Sequence, residues 1–104
     1  MNITKILGLL GIAKKAGFVS AGAEKAHDTA RQGRARLVIM SEGASTNTKK
    51  RIENFCHYYE VELITLPVTA EELGCAVGLC TIAVIALTDK GIAQSIVKNT
   101  GVGL

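Results

Sequence analysis

The fold of this chain is decided by residues 20–40, SAGAEKAHDTARQGRARLVIM, which begin like a helix and end like a buried strand. Gly22 marks the expected start of the helix and Gly33 its end, since glycine is common at both termini. Residues 36–40 then carry the run Leu-Val-Ile-Met without polar alternation. Such a run is typical of a strand covered on both faces. The stretch therefore predicts one helix–strand unit of an α/β domain.

Helical and strand patterns alternate on both sides of this unit, without internal repeats. Helices are predicted at residues 2–16 and 22–32, after the N-cap candidates Ser45, Thr46 and Asn47, after the capping box of Thr69 and Glu72, and at 90–98. Strands are predicted at residues 18–20, 36–40, 61–66 and 81–87. This order predicts an α/β fold, a three-layer α/β/α sandwich around a small mixed, mainly parallel sheet. The length of 104 residues fits a single domain, 1–104.

The composition is that of a globular chain, with 48% hydrophobic and 20% charged residues. The apolar run at residues 6–13 precedes Lys14 and Lys15, whereas the charges of a secretory signal come before its apolar segment. The later apolar run at residues 76–87 is shorter than the ~20 residues that cross a bilayer. We therefore expect a cytoplasmic protein that makes no use of a membrane.

The three cysteines, Cys56, Cys75 and Cys80, are odd in number, which argues against a disulfide framework. Together with His57 they could supply four zinc ligands, but structural zinc sites usually take ligands in close pairs. The apolar context of all three instead predicts buried thiols that act as small hydrophobic side chains. No metal and no cofactor is expected.

Charge is divided unevenly along the chain. Residues 1–52 carry ten Lys/Arg and three Asp/Glu, a net +7, whereas residues 53–104 carry two Lys and six Asp/Glu, a net −4. Such polarity often marks a surface that meets an anion, although two solvated faces of unlike charge would give the same count.

No catalytic constellation is apparent, because neither His27 nor His57 belongs to a signature that pairs it with a nucleophile. A small enzyme that uses Cys75 or Cys80 is the weakest hypothesis. Gly22 and Ala23 are more suggestive, since a helix start with unpaired N–H groups and little bulk admits a phosphate or a base edge. Glycine at this position could equally be an ordinary N-cap.

Three segments together resemble the kink-turn RNA-binding ribosomal proteins of the L-seven-Ae / L-thirty-e type, and within them the bacterial YlxQ-like branch. The first is the helix start Gly22-Ala23-Glu24-Lys25 with RARLVIMSEGAS at 34–45. The second is NTKKRIENFCHYYEVELI at 47–64. The third is ELGCAVG at 72–78, followed by VIALTDKGIA. The resemblance covers nearly the whole chain.

The resemblance implies an α/β/α sandwich that binds a sharply bent RNA without catalysis. It implies that the helix start enters the RNA groove and that the loop after residue 78 covers an extruded base. The candidate RNA-binding residues are Gly22, Ala23, Glu24, Lys25, Asp28, Arg31, Arg34, Arg36, Gly78, Leu79, Cys80 and Thr81. The implied partners are structured RNA, either ribosomal or containing a kink-turn, and with it the ribosome; DNA is not expected.

The helix start departs from the pattern of the family it resembles. Glu24 stands where that pattern has asparagine, Lys25 where it has glutamate and Asp28 where it has lysine. Each of the two carboxylates would oppose nearby phosphates by about 1 kcal/mol. Neutralising several phosphates contributes on the order of several kcal/mol. RNA binding with altered base preference is therefore expected; the alternative is a protein-interaction module on the same fold that has lost specific RNA recognition.

Overall fold

The computed structural model describes residues 1–101, so the last three residues of the predicted 1–104 domain lie outside the described residues. The helices are α1 (Ile3–Lys15), α2 (Ala23–Arg31), α3 (Thr46–Tyr58), α4 (Ala70–Ala76) and α5 (Lys90–Asn99). The strands are β1 (Val19–Ala21), β2 (Leu37–Ser41), β3 (Leu63–Leu66) and β4 (Val84–Leu87). Within residues 1–101, no helix combines the length and the apolar character needed to cross a membrane.

Helix boundaries follow the local capping signals closely. The side chain of Asn2 caps α1, and Gly17 follows its end with a φ of 82°. Ser45 caps α3 by accepting a hydrogen bond from the backbone N–H of Thr48. At α4 the predicted capping box is complete: Thr69 Oγ1 accepts from the N–H of Glu72, whose carboxylate accepts from the N–H of Thr69. The starts of α3 and α4 were predicted from these capping residues, whereas the cap at Asn2 was not.

The four strands form one mixed sheet in the order β1-β4-β2-β3. Strand β2 is parallel to β3, whereas β4 is antiparallel to both β1 and β2. The α/β sandwich and the mixed sheet are confirmed, but the expectation of a mainly parallel sheet is wrong. The three strands joined by α2 and α3 do run in one direction, as such crossovers require. The reversed β4 inserts between two of them, and so two of the three pairings become antiparallel.

The reversal of β4 follows from the short connection that leads to it. Helix α4 has seven residues, and the chain after it turns back along the helix. There the N–H of Leu79 donates to the carbonyl of Gly74, and the N–H of Ile82 donates to that of Ala70. The chain thus returns to the beginning of α4, close to where β3 ended, and β4 must run the other way. These bonds also explain why β4 begins at Val84 and not at the predicted residue 81.

Apolar side chains cover the sheet on both faces and form two core clusters. Side chains of α1, α4 and α5, such as Leu10, Leu73 and Ile96, pack on one face against Ile39 of β2. Side chains of α2 and α3 pack on the other face against Val38, Met40, Val84 and Ala86. Every residue of β2 and β4 is buried, as the uninterrupted apolar runs predicted. The result is the expected three-layer arrangement.

The cysteines divide differently from the prediction. Cys56 is buried in the α2–α3 layer, and burial raises the pKa of its thiol from 9.0 to about 11. Cys75 and Cys80 are exposed, so the expectation that all three thiols are buried is wrong for these two. The reason is position: Cys75 lies on the exposed side of α4, and Cys80 lies in the loop after it, between α4 and β4. Among residues 1–101, no His, Cys, Asp or Glu side chains gather into a group of three able to hold a metal ion.

Candidate functional site

The entrance of α2 is an uncrowded backbone corner. Gly22 is its N-cap, with φ 100° and ψ 154°, and no side chain caps the helix there. A Cβ atom placed on Gly22 would meet nothing within 4 Å. Because the first N–H groups of a helix have no acceptor within it, those at this entrance are open to an external acceptor. The positive helix dipole end favours an anionic one.

The loop of residues 77–83 lies beside this entrance. The N–H of Gly22 donates to the carbonyl of Val84, the first residue of β4 after the loop, at 2.9 Å. Gly78 turns the chain with a φ of 72°, and Leu79 then projects with 40% of its surface exposed. The predicted helix entrance and the predicted loop are therefore neighbours in space, although 55 or so positions separate them in the chain.

A close backbone approach at Gly74 holds this loop in place. A Cβ atom on Gly74 would lie 2.5 Å from the carbonyl oxygen of Cys80 and 3.0 Å from the nitrogen of Thr81. Only glycine allows the loop to pass so near the helix. The sequence analysis included Gly74 only as part of the ELGCAVG motif and assigned it no role. The Leu-Gly pair four residues before Gly78 was the one sequence signal for this close approach.

Between the entrance, the loop and the end of α1 lies a groove of about 460 Å³, here called the edge groove. Its floor is β1, the edge strand of the sheet. It is lined by Lys14, Val19, Ser20, Ala21, Lys25, Asp28, Thr29, Gln32, Arg34, Leu79 and Ile82. Three of these are cations, and Asp28 is the one carboxylate among the described residues that line it. The balance of formal charge in the edge groove is thus positive.

Asp28 does not stand alone in this groove. Its carboxylate accepts a hydrogen bond from the guanidinium of Arg31 at 2.8 Å, and both side chains are about three-fifths exposed (58% and 61%). Such a surface pair contributes little to stability. It does place a cation against the carboxylate, and so the repulsion that Asp28 exerts on a nearby anion is partly offset.

Two hydroxyl groups stiffen the floor of the edge groove. Thr29 Oγ1 donates to the carbonyl oxygen of Lys25 at 2.8 Å and lies 2.7 Å from Ser20 Oγ. This contact ties α2 to β1 at the floor of the groove. Neither residue was predicted as part of the site, because nothing in the sequence signals that positions nine residues apart are hydrogen-bonded.

The predicted site residues fall into three groups. Lys25, Asp28, Arg34 and Leu79 line the edge groove. Gly22, Ala23, Glu24, Arg31, Gly78, Cys80 and Thr81 lie in the same two segments as these four, at the helix entrance, along α2 or in the loop. Arg36 lies apart, in a separate groove of about 770 Å³ with Glu62, Lys90 and Lys98. Lys14 and Gln32 line the edge groove but were not among the predicted site residues.

Comparison with known proteins identifies the family. A model of the ribosomal protein L7Ae/L30e/S12e/Gadd45 family matches residues 4–97. The chain belongs to this family. The resemblance drawn from the three segments is thereby confirmed.

Two curated relatives come from the bacterial branch. RNA-binding protein YlxQ of Bacillus subtilis (strain 168) is 36% identical over 90 residues, which cover 86% of this chain and 89% of that protein. RNA-binding protein YlxQ of Enterococcus faecium is 36% identical over 70 residues, which cover 67% of this chain and 68% of that protein.

Solved structures share the fold over most of the chain. A protein of unknown function from Bacillus halodurans C superposes with a TM-score of 0.85 at 30% identity, covering 90% of this chain and 94% of that one. The Giardia lamblia 15.5kD RNA binding protein superposes with a TM-score of 0.81 at 19% identity, covering 94% and 86%. The latter likeness concerns the fold alone.

Proposed function

We propose that this chain is a non-catalytic RNA-binding protein that recognises kink-turn-like structured RNA with its edge groove and the adjoining entrance of α2. One observation carries the proposal: a cationic groove meets an uncapped, uncrowded helix start beside a projecting loop. The membership in the L7Ae/L30e/S12e/Gadd45 family and the names of the two YlxQ relatives support RNA as the ligand.

The chemistry of the groove suits the backbone of RNA. Lys14, Lys25 and Arg34 offer ammonium and guanidinium donors to phosphate oxygens, and the N–H groups at the entrance offer further donors. Gly22 lets a base edge or a phosphate come within hydrogen-bond distance of the backbone, since nothing occupies the space over it. Leu79 presents an apolar surface on which an extruded base can rest. RNA with a sharp bend offers such a base next to converging phosphates.

Charge arithmetic favours binding despite the two acids. Asp28 opposes a nearby phosphate by about 1 kcal/mol at intermediate dielectric. Its pairing with Arg31 reduces that effect, and Glu24 can accept a hydrogen bond from a guanine edge. The three cations of the edge groove contribute more than Asp28 removes. We therefore propose that RNA approaches the entrance of α2 as in the family, but with an altered base preference.

We further propose that the protein acts on the ribosome or on another structured RNA in the cytoplasm, as one unit that comprises the whole chain. No catalytic role is assigned to Cys75 or Cys80. Growth that is unchanged when both are replaced by alanine would exclude a small enzyme that uses these cysteines.

The proposal is tested by filter-binding titration of a kink-turn hairpin and an unbent duplex of equal length, each at two salt concentrations. We expect tighter binding of the hairpin and a linear fall of the logarithm of the affinity with the logarithm of salt. Equal affinity for both RNAs would remove the claim of kink-turn recognition. Absence of binding at low salt would remove RNA binding altogether.

Charge variants locate the surface. Lys25→Glu and Arg34→Ala are expected to weaken binding of both RNAs, with a salt slope smaller by about one for each lost phosphate contact. Lys98→Glu is the matched control, since Lys98 lines the separate groove. Arg36→Ala is expected to act like this control. A loss with Arg36→Ala as large as that with Lys25→Glu would move the RNA away from the edge groove.

Asp28→Lys tests the role assigned to the acidic position. The change removes the carboxylate from the edge groove and adds a cation, and we expect affinity to rise by about tenfold. Weaker binding by this variant would show that α2 does not face the RNA backbone as proposed.

A protein-interaction module on the same fold is the second candidate, favoured by the exposed apolar Leu79 beside Asp28. Pull-down from a lysate with and without nuclease treatment distinguishes the two candidates. A partner that is lost on RNA digestion contradicts the second one.

A further inference from the structure

A third groove, of about 650 Å³, lies between α2 and α3, away from the edge groove. We call it the aromatic groove, because His27, Phe55, Tyr58 and Tyr59 line it. The chain has only two Phe and two Tyr, and three of these four rings are gathered here. Most of the Phe and Tyr residues of the chain therefore lie in one groove, which indicates a role for these rings beyond packing.

Packing in the core explains the positions of Phe55 and Tyr59 but not that of the exposed Tyr58. Phe55 is 4% exposed and stacks on His27 with centroids 4.9 Å apart and planes 4° from parallel. Tyr59 contacts the same histidine at 6.0 Å. Tyr58 is 77% exposed and touches Tyr59 edge to face at 4.8 Å. Its ring therefore stands in solvent beside a stack of rings, with one face free for another planar group.

The charge of the groove indicates which planar group that is. Lys50 and Arg51 line it, and none of the described residues that line it is acidic. Asn47 and Asn54 add side-chain amides, which pair with the donors and acceptors of base edges. Exposed rings next to cations and amides are the combination with which proteins hold unpaired nucleotides, where a base stacks and its phosphate meets a cation.

The aromatic groove adjoins the surface already assigned to RNA. Helix α2 separates the two grooves: Lys25, Asp28 and Thr29 face the edge groove, and His27 faces the aromatic groove. His27 lies one helical turn after Ala23 at the entrance. An α-helix with its side chains is about 10–12 Å across. A strand of RNA that leaves the entrance crosses this width within a few nucleotides.

We propose that the aromatic groove binds an unpaired nucleotide that flanks the structured RNA held by the edge groove, with its base on Tyr58 and its phosphate on Arg51 and Lys50. The inference rests on the proposed function for the identity of the longer ligand. Recognition of the flanking nucleotide itself rests on the rings and the charges of this groove alone.

The experiment compares the kink-turn hairpin with the same hairpin carrying an unpaired tail of about six nucleotides. A 2-aminopurine base in the tail reports stacking by the loss of its fluorescence. We expect the tail to raise affinity about tenfold in the unchanged protein. Tyr58→Leu and Arg51→Gln should lose this gain and leave the affinity of the tailless hairpin unchanged.

Matched variants separate stacking from general charge. Tyr58→Phe keeps the ring face and should keep the gain, and Lys98→Gln removes a cation from a distant surface and should do so as well. Because Tyr58 is exposed, its replacement does not threaten the fold. A tail that adds no affinity, or a gain that survives Tyr58→Leu, would overturn the inference.

The failure of the inference and that of the proposed function are distinguishable. If the tailless hairpin does not bind, kink-turn recognition fails, and the isolated tail oligonucleotide then decides the inference through its 2-aminopurine signal. Quenching that Tyr58→Leu abolishes would support the aromatic groove, and absence of quenching would exclude it.

Discussion

Gly22 is the residue on which the form of the α2 entrance depends. Its φ of 100° and ψ of 154° belong to a region of backbone conformation that glycine alone adopts without strain. The space over its Cα is empty, so that strain, and not crowding, would penalise a side chain. The same residue that makes the corner accessible also makes the turn from β1 into α2 feasible.

Gly22→Ala is therefore expected to lower the free energy of unfolding by about 1–3 kcal/mol, as measured by urea denaturation. Gly8→Ala is the matched control. Gly8 lies in the interior of α1 with nothing within 4 Å of a Cβ position, and its replacement should raise stability by about 0.5–1 kcal/mol. Equal free energies of unfolding for the two variants would show that a side chain at position 22 causes no backbone strain.

Cys56 couples the stability of the protein to pH. Burial raises the pKa of its thiol to about 11, whereas the thiol of the unfolded chain titrates near the ordinary 9.0. The unfolded state thus loses its proton first, and the free energy of unfolding falls as the pH rises from about 9 to about 11. We expect Cys56 to account for a loss on the order of 2 kcal/mol across this window.

The measurement compares urea denaturation at several pH values for the unchanged protein and for Cys56→Ala. The variant is less stable throughout because it leaves a small cavity, but its stability should fall less steeply above pH 9. Parallel curves for the two proteins would show that Cys56 does not contribute to the pH dependence.

Among the elements, α4 and the loop after it decide both the topology and the site. The turn that reverses β4 is the same turn that presents Leu79 beside the α2 entrance. Gly74 is the point of closest approach, since its Cα faces the backbone of Cys80. A side chain here cannot be relieved by a change of rotamer, because the atoms it meets belong to the main chain.

Gly74→Ala is expected to displace the loop and to cost about 1–3 kcal/mol of stability. Because Leu79 moves with the loop, affinity for the kink-turn hairpin should fall while the protein remains folded. Filter binding and circular dichroism measured together test this expectation. Gly8→Ala again serves as the control. A folded Gly74→Ala protein with unchanged RNA affinity would separate the loop from the binding surface.

At the scale of the whole molecule, one sheet joins the two core clusters. Neighbouring residues of β2 point in opposite directions, so that Ile39 packs under α1, α4 and α5 and Val38 packs under α2 and α3. Neither helical layer can detach without exposing the apolar face that it covers, on the same strands that support the other layer. The three layers should therefore unfold together.

Ile39→Val tests this coupling, because both tyrosines lie in the opposite layer and the chain has no tryptophan. The change should cost about 0.5–1.5 kcal/mol. The resulting fall in Tm should be equal by tyrosine fluorescence, which reports the α3 side alone, and by circular dichroism, which reports all helices. An unchanged fluorescence Tm would show that the layers melt separately.

The basic and acidic halves of the sequence correspond only in part to separate surfaces of the folded protein. Lys14, Lys25 and Arg34, all from the basic half, meet in the edge groove. Lys50 and Arg51 from the same half lie in the aromatic groove, and Arg36 joins residues of the acidic half elsewhere. The count of +7 therefore did not reveal which of these cations share a surface.

The sequence by itself determined the helices, the caps of α2, α3 and α4, the buried strands and the α/β/α layers. These features depend on interactions within a few residues and on the period of apolar positions, both of which are legible along the chain. It also determined the family, through motifs that span nearly all of its length.

Only the tertiary structure decided the direction of β4, the exposure of Cys75 and Cys80, and which cations share a groove. Each of these depends on where a turn sends the chain and on contacts between residues far apart in sequence. Local sequence patterns do not encode such contacts. Only the packing of the helices on the sheet therefore revealed three of them: Thr29 with Ser20, Gly74 with Cys80, and His27 with Phe55.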